Sequence, residues 1–125
     1  MRHLPTLLVP ALVFGAALLA ASAPAMAHAH LESAQPAANS KNAEVAEVRL
    51  AFSEAIEPKL STIQVEDRED RKVVEPEAKP DPADPKVLVL RLFEKLPPGS
   101  YKLRWAVVAA DGHRMKGDYS FVVSR

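Results

Sequence analysis

The sequence has 125 residues, of which 48% are apolar and 26% charged, with 16 basic and 16 acidic side chains and no cysteine. This length suits one domain and is too short for a barrel enzyme or a doubly wound nucleotide-binding fold. The balanced charge gives no sign of a nucleic-acid or anionic-lipid binder, and the lack of cysteine excludes disulfides, zinc–thiolate sites and thiol nucleophiles. Any metal must therefore bind nitrogen, oxygen or methionine.

The first segment has the pattern of an export signal. Arg2 precedes an apolar stretch, Leu7–Ala21, which leads to the small-x-small cleavage sequence Ala25-Met26-Ala27. The stretch is shorter than the roughly 20 residues that cross a bilayer. The sequence therefore predicts a cleaved signal peptide over residues 1–27, a mature domain over residues 28–125 without a membrane span, and a periplasmic location.

Two other cleavage positions, after Ala23 and after Ala29, are weaker alternatives. The position matters because cleavage after residue 27 makes His28 the first residue of the mature chain.

Short strands separated by turn residues predict an all-β sandwich for the mature region. Apolar and polar residues alternate in several segments, while the nearly continuous apolar run Val87–Phe93 predicts a central strand covered on both faces. About seven strands are expected, which is the number in a small immunoglobulin-like sandwich. They lie near Ala29–Ala34, Val48–Phe52, Thr62–Val65, Lys72–Glu75 (the weakest), Val87–Phe93, Tyr101–Val107 and Tyr119–Val123.

Helix is not favoured. Lys41–Val48 has a helix-compatible composition but too few apolar residues for an amphipathic stripe. The acidic, proline-dense segment Glu75–Pro85 predicts a surface loop, because proline removes ladder hydrogen bonds. The segment before Tyr101 is a turn, and Tyr101 resembles a tyrosine corner.

Histidine is scarce and unevenly placed: the predicted mature chain has His28, His30 and His113. In extended backbone, Asp111 and His113 would point the same way and could present an oxygen and a nitrogen to one point. The alternative is a tight turn in which Asp111 hydrogen-bonds its own backbone and His113 is merely exposed.

A first-residue histidine strengthens the case for a metal site. Its α-amine and its Nδ1 can chelate one ion, and the amine proton is displaced readily because the ordinary pKa is about 8. With His113 and Asp111, the donor set would be three nitrogens and one carboxylate oxygen. A tetragonal set of this kind suits Cu(II), with nickel and zinc as weaker competitors.

A competing arrangement uses the terminus alone. His28-Ala29-His30 could wrap Cu(II) or Ni(II) in its amine, two deprotonated amides and the imidazole of His30. We favour the arrangement with His113, because strand pairing from about Leu31 would hold backbone amides in a ladder.

Four ordered blocks resemble the CopC copper-resistance family of bacterial periplasmic copper-binding proteins. The resemblance implies a seven-stranded Greek-key sandwich that binds one Cu(II) ion through His28, Asp111 and His113. It also implies a carrier or buffer role in copper resistance and homeostasis, with an inner-membrane copper transporter as a partner. The blocks are HAHLESAQPAANS (residues 28–40), RLAFSEAIE (49–57), LPPGSYKLRW (96–105) and AADGHRMKGDYSFVV (109–123).

Two further residues are candidates at the edge of this site. By the resemblance, Glu54 matches an acidic position near the metal, where it would support the ligands or bind weakly; a plain surface carboxylate is the alternative. His30 would either contact the ligands or be exposed.

The sequence departs from the family pattern at two positions. Some members carry a methionine-rich stretch that binds Cu(I), whereas here Met1 and Met26 belong to the predicted signal and Met115 stands alone. We therefore expect no dedicated Cu(I) site and a packing or surface role for Met115, with weak Cu(I) contact as the alternative. Ala109 stands where relatives often have a hydroxyl residue.

We expect that the protein is not an enzyme. A copper-dependent oxidative enzyme with a terminal histidine is one alternative, although such enzymes need an open coordination position and aromatic platforms. A metal-free adhesion or assembly sandwich is the other. A classical hydrolase is excluded, since the chain has no Gly-x-Ser-x-Gly motif and no serine in the Asp111–His113 segment.

Overall fold

The computed structural model describes residue 3, residues 30–73 and residues 75–124, so His28 and nearly all of the predicted signal peptide lie outside the described residues. The described residues contain eight strands and one short 3-10 helix, η1 (Pro58–Leu60). The strands are β1 (Leu31–Gln35), β2 (Lys41–Asn42), β3 (Glu47–Phe52), β4 (Thr62–Glu66), β5 (Lys79–Asp81), β6 (Asp84–Arg91), β7 (Gly99–Val108) and β8 (Arg114–Val123).

The strands form two four-stranded sheets. The first sheet has the order β1-β3-β6-β5, and the second has the order β2-β8-β7-β4. All pairs are antiparallel except the short parallel pair of β2 with β8. Only β5–β6 and β7–β8 are consecutive strands within one sheet; every other connection between these strands crosses to the opposite sheet. This architecture confirms the predicted β-sandwich.

The core lies between the two sheets and is built by alternation along each strand. In β3, for example, Val48, Leu50 and Phe52 face inward while the residues between them are partly exposed. Burying each such side chain contributes roughly 1.5–3 kcal/mol, which makes this layer the main source of stability. The inward-facing residues of the other long strands are Leu88, Leu90, Ile63, Val65, Leu103, Val107, Phe121 and Val123.

Two sequence predictions about the segment between β4 and β6 are wrong. The described residues 72, 73 and 75 belong to no strand: Lys72 makes an isolated bridge with Glu66, and the Val73 N–H donates to the Val65 carbonyl at 2.8 Å. The predicted loop Glu75–Pro85 contains β5 and the start of β6. β5 tolerates Pro80 because it is the edge strand of the first sheet, where a missing N–H costs little.

The predicted central strand corresponds to β6, which ends two residues earlier than predicted. β6 does lie between β3 and β5, and Leu88 and Leu90 are fully buried. The strand stops at Arg91, however, and Phe93 is 69% exposed. The two-residue strand β2 was also not predicted, because its pairing with β8 is set by tertiary contact and not by a local pattern.

Two tyrosine hydroxyls tie loops to the sandwich. The Tyr101 hydroxyl donates to the carbonyl of Pro97 at 2.6 Å, which confirms the predicted tyrosine corner, and the Tyr119 hydroxyl donates to the carbonyl of Pro36 at 2.7 Å. Burial raises the pKa of Tyr119 to about 12. Both rings also contact Phe121, with centroid separations of 5.7 and 6.4 Å.

Removing the corner hydrogen bond should weaken the fold measurably. For Tyr101→Phe we expect a loss of about 1 kcal/mol in the free energy of unfolding, because the Pro97 carbonyl loses its donor while the ring packing stays. Urea denaturation followed by Trp105 fluorescence measures the change. An unchanged transition midpoint would show that the corner contributes nothing to stability.

A half-buried carboxyl group lies against the edge of β4. Glu75 accepts a hydrogen bond from the backbone N–H of Val65 at 3.1 Å. Burial raises the pKa of Glu75 from 4.5 to about 7, although this hydrogen bond and the charge of Lys72 act in the opposite direction. Folding therefore favours the protonated carboxyl group of Glu75 over its ionised form, relative to the unfolded chain.

This raised pKa predicts a pH-dependent contribution to stability. A carboxyl group whose pKa is higher in the folded state stabilises fully below its ordinary pKa of 4.5 and loses that contribution as the pH rises through about 7. Glu75→Gln should therefore be more stable than the wild type at pH 8, by about 1 kcal/mol after solvent screening, and the difference should vanish near pH 4. Chemical denaturation across this range tests it, with the exposed Glu77→Gln as the control that should follow the wild type.

Among the described residues, no helix combines the length and the apolar character that a membrane crossing requires.

Candidate metal centre

The turn between β7 and β8 carries Asp111 and His113. It is closed by hydrogen bonds from the Ala109 N–H to the His113 carbonyl and from the Gly112 N–H to the Ala109 carbonyl, both 2.8 Å. Gly112 has φ of +91°, a conformation that other residues adopt only with strain. The backbone is therefore not extended here, and the predicted reason for the proximity of Asp111 and His113 is wrong.

The turn nevertheless brings the two side chains into direct contact. The Asp111 carboxylate accepts the backbone N–H of His113 at Oδ1 (3.0 Å) and lies 2.7 Å from the His113 ring nitrogen Nδ1 at Oδ2. The alternative prediction, a tight turn in which Asp111 hydrogen-bonds the backbone, is therefore confirmed. It did not include the hydrogen bond between Asp111 and the His113 ring. His113 therefore turns its Nδ1 edge toward Asp111.

The electrostatics of the pair match this geometry. The backbone hydrogen bond from His113, followed by the bond to its ring, lowers the pKa of Asp111. The same ring bond and the negative charge of Asp111 raise the pKa of His113, and the charge of Glu54 adds to the effect. The two side chains are 40% and 59% exposed, so the pair is open to solvent and to ions.

The connection that follows β3 brings Glu54 to this pair. It runs antiparallel to the end of β7, with the Ala110 N–H donating to the Ala55 carbonyl at 2.9 Å and the Glu57 N–H donating to the Val108 carbonyl at 2.8 Å. Glu54 thereby lies close enough to contribute to the lowered pKa of Asp111 and the raised pKa of His113.

His30 lies on the other side of the same connection. Its backbone N–H donates to Ser53 Oγ, and its carbonyl accepts the N–H of Ser53, both at 2.9 Å. The sequence analysis did not predict a role for Ser53; the only signal was its place beside Glu54 in the block RLAFSEAIE (residues 49–57). His30 itself is exposed.

Met115 and Ala109, the two other residues near this turn that the sequence analysis discussed, both contribute to packing. Met115 is partly buried and packs against the core, which fits the predicted packing role. Ala109 is fully buried at the base of the turn.

Within residues 30–73 and 75–124, no group of three or more His, Cys, Asp or Glu side chains is arranged to hold a metal ion. Asp111 and His113 therefore need donors from elsewhere to complete a metal site. His28, the predicted third ligand residue, lies outside the described residues.

Comparison with known proteins decides the family. The CopC domain matches residues 31–124, which include Glu54, Asp111 and His113. The chain belongs to the CopC family. This confirms the resemblance found in the sequence.

Relatives and solved structures agree with this assignment. Protein YobA of Escherichia coli strain K12 is 38% identical over 98 residues, which cover 78% of this chain and 79% of YobA. The crystal structure of CopC from Methylosinus trichosporium OB3b matches with a TM-score of 0.72 and 35% identity, covering 78% of this chain and 94% of that one. PcoC, a methionine-rich copper resistance protein from Escherichia coli, matches with a TM-score of 0.70 and 33% identity, covering 78% and 100%.

The contact between Asp111 and His113 can be tested without metal. In Asp111→Asn, the pKa of His113 should fall toward its ordinary value of 6.5, because the hydrogen bond to a charged carboxylate and its negative charge are lost. An NMR titration of the His113 ring in the metal-free protein measures the shift. Glu54→Gln should lower the same pKa by less, and an equal or larger effect of Glu54→Gln would contradict the geometry.

Proposed function

We propose that this protein is a periplasmic Cu(II)-binding carrier or buffer that serves copper resistance and homeostasis. The observation that carries the proposal is the exposed Asp111–His113 pair beside Glu54, at the end of a CopC-family sandwich. Copper is the cargo in this proposal and not a catalytic cofactor.

The proposed ligands are the α-amine and Nδ1 of His28, one ring nitrogen of His113 and a carboxylate oxygen of Asp111. Export with cleavage after residue 27 would free the α-amine. His28 precedes His30 by two residues, a separation that spans at most roughly 7 Å of chain. Since His30 bonds to Ser53, directly beside Glu54, this short reach supports a terminal ligand at the same end of the sandwich.

The hydrogen bond between Asp111 and the His113 ring orients the imidazole in the metal-free protein. A carboxylate on one ring nitrogen fixes the tautomer and makes the other nitrogen a better donor. An oxygen that contacts Nδ1 cannot reach an ion on Nε2, which lies on the far side of the ring, so the Asp111 oxygen that binds copper must first leave its contact with Nδ1. Three nitrogens and one oxygen form the tetragonal set that Cu(II) prefers, and the negative charge of Glu54 favours a cation there.

One Cu(II) ion without a dedicated Cu(I) site is the proposed content. Thioethers are the soft ligands that hold Cu(I), and Met115 packs against the core. PcoC, by contrast, is described as methionine-rich.

A carrier role fits better than an oxidative enzyme. Four protein donors would fill the equatorial positions of Cu(II), which leaves little room for a substrate. The aromatic side chains Tyr101, Tyr119 and Trp105 pack in or against the core, so they do not build a flat platform for a polysaccharide. An inner-membrane copper transporter is the proposed recipient of the ion.

The first experiment compares copper affinity in two forms of the mature protein. One begins at His28 and the other has one added glycine before it. The addition moves the α-amine away from its imidazole, so Cu(II) affinity measured by competition with a chelator should fall by orders of magnitude. His113→Ala should independently weaken binding by more than about 100-fold.

His30→Ala serves as the control, because the proposed set uses neither its amide nor its ring. Its affinity should stay within about threefold of the wild type. Loss of binding in His30→Ala together with unchanged binding in His113→Ala would overturn the proposed ligand set.

A further inference from the structure

We infer that one end of the outer face of the second sheet is a docking surface for an acidic protein, the recipient of the copper. The inference rests on the proposed function and adds to it the surface through which the ion is passed on. This docking groove is lined by Leu60 of η1, Ala106 and Val108 of β7, and Arg114 and Lys116 of β8.

The docking groove has an apolar centre. Ala106 pairs with Lys116 and Val108 pairs with Arg114 across β7 and β8, so the four side chains lie next to one another on the solvent side of the sheet. Leu60 borders them, and 66% of its surface is exposed. The groove has a volume of about 310 Å³, which gives room for an apolar side chain of a partner. Covering a contiguous apolar surface of this kind is favourable because it releases water.

The charges that line the docking groove are all positive. No carboxylate is among its described lining residues, and within residues 30–73 and 75–124 no ion pair engages Arg114 or Lys116. The groove on the outer face of the first sheet differs, because Arg49 there pairs with both Glu47 and Asp81. The docking groove thus carries uncompensated cations beside exposed apolar side chains.

This combination selects an acidic protein as the partner. A partner that covers Leu60 also removes water from Arg114 and Lys116, and cations that lose water need carboxylates in return. An anionic membrane fits less well, since basic clusters that bind anionic lipid hold roughly four to eight cations, whereas the docking groove holds two. A protein surface with an apolar side chain inside a rim of Asp and Glu meets both requirements.

The docking groove adjoins the proposed copper site. Arg114 follows His113 directly in the chain, and Val108 ends the strand that leads to Asp111. A partner seated on the groove therefore lies beside the exposed pair of Asp111 and His113. This arrangement lets the ion pass from one protein to the other without release into bulk solvent.

The test follows copper transfer into right-side-out vesicles of the inner membrane, prepared from the bacterium that makes this protein. Mature protein beginning at His28 is loaded with one equivalent of radioactive Cu(II). The variants are Leu60→Ser and Lys116→Glu. The matched controls are Phe93→Ser, at a side chain that is 69% exposed at the opposite end of the sandwich, and Lys79→Glu, at an exposed lysine of the first sheet.

Leu60→Ser and Lys116→Glu should each slow the transfer by about tenfold, because the partner loses its apolar contact or meets a repelling charge. Their Cu(II) affinities, measured by competition with a chelator, should stay within about threefold of the wild type. Both controls should transfer copper at the wild-type rate. Raising the salt from about 0.05 M to about 0.5 M should slow the wild type and leave Lys116→Glu nearly unchanged, since salt screens the same attraction.

Wild-type transfer rates in both Leu60→Ser and Lys116→Glu would overturn the inference, and so would equal losses in the two controls. Binding of the wild type, but not of Lys116→Glu, to protein-free phosphatidylglycerol vesicles would identify a lipid surface as the occupant and would also contradict it. Failure of the proposed function looks different: without any vesicles, the wild type would hold Cu(II) no more tightly than His113→Ala.

Discussion

The placement of Glu54 beside Asp111 and His113 depends on the backbone hydrogen bonds of the connection that follows β3. On one side this connection bonds to His30, and on the other side Ala55 and Glu57 bond to the end of β7. These bonds involve main-chain atoms, so they fix the path of the chain whatever the side chains are. Glu54 lies between the two sets, which is why its carboxyl group acts on Asp111 and His113.

The contacts that stabilise the fold lie away from Asp111 and His113. The corner formed by Tyr101 is near the start of β7, whereas the turn with Asp111 and His113 follows the end of that ten-residue strand. The apolar core fills the space between the sheets and does not include the exposed pair. The fold therefore does not need Asp111 and His113 to fill space, which leaves both side chains available for the proposed copper site.

Local patterns predicted the parts of the fold that depend on local burial. Alternation in β3, β7 and β8 predicted one buried face in each, and the structure has a strand at each of these places, although β8 begins at Arg114 and not near Tyr119. β5 was missed because the tolerance of Pro80 depends on an edge position, and an edge is a property of the assembled sheet. β2 was missed for a related reason, since two residues carry no periodicity.

The site shows the same division. Residue type and spacing predicted that Asp111 and His113 lie together, and the structure has them in contact, although a turn joins them and not the extended backbone expected. The contact of Ser53 with His30 joins residues 23 positions apart, and no local pattern encodes it. The role of His28 stays a prediction from the sequence and the family.

Pro80 in β5 also affects how the molecule meets its neighbours. β5 is the outermost strand of the first sheet, and a proline there offers no N–H to a strand arriving from another molecule, while Lys79 and Asp81 place charges beside the gap. Open sheet edges are the usual starting points for intermolecular aggregation. A proline that favoured the prediction of a surface loop thus gives this edge of the sandwich resistance to self-association.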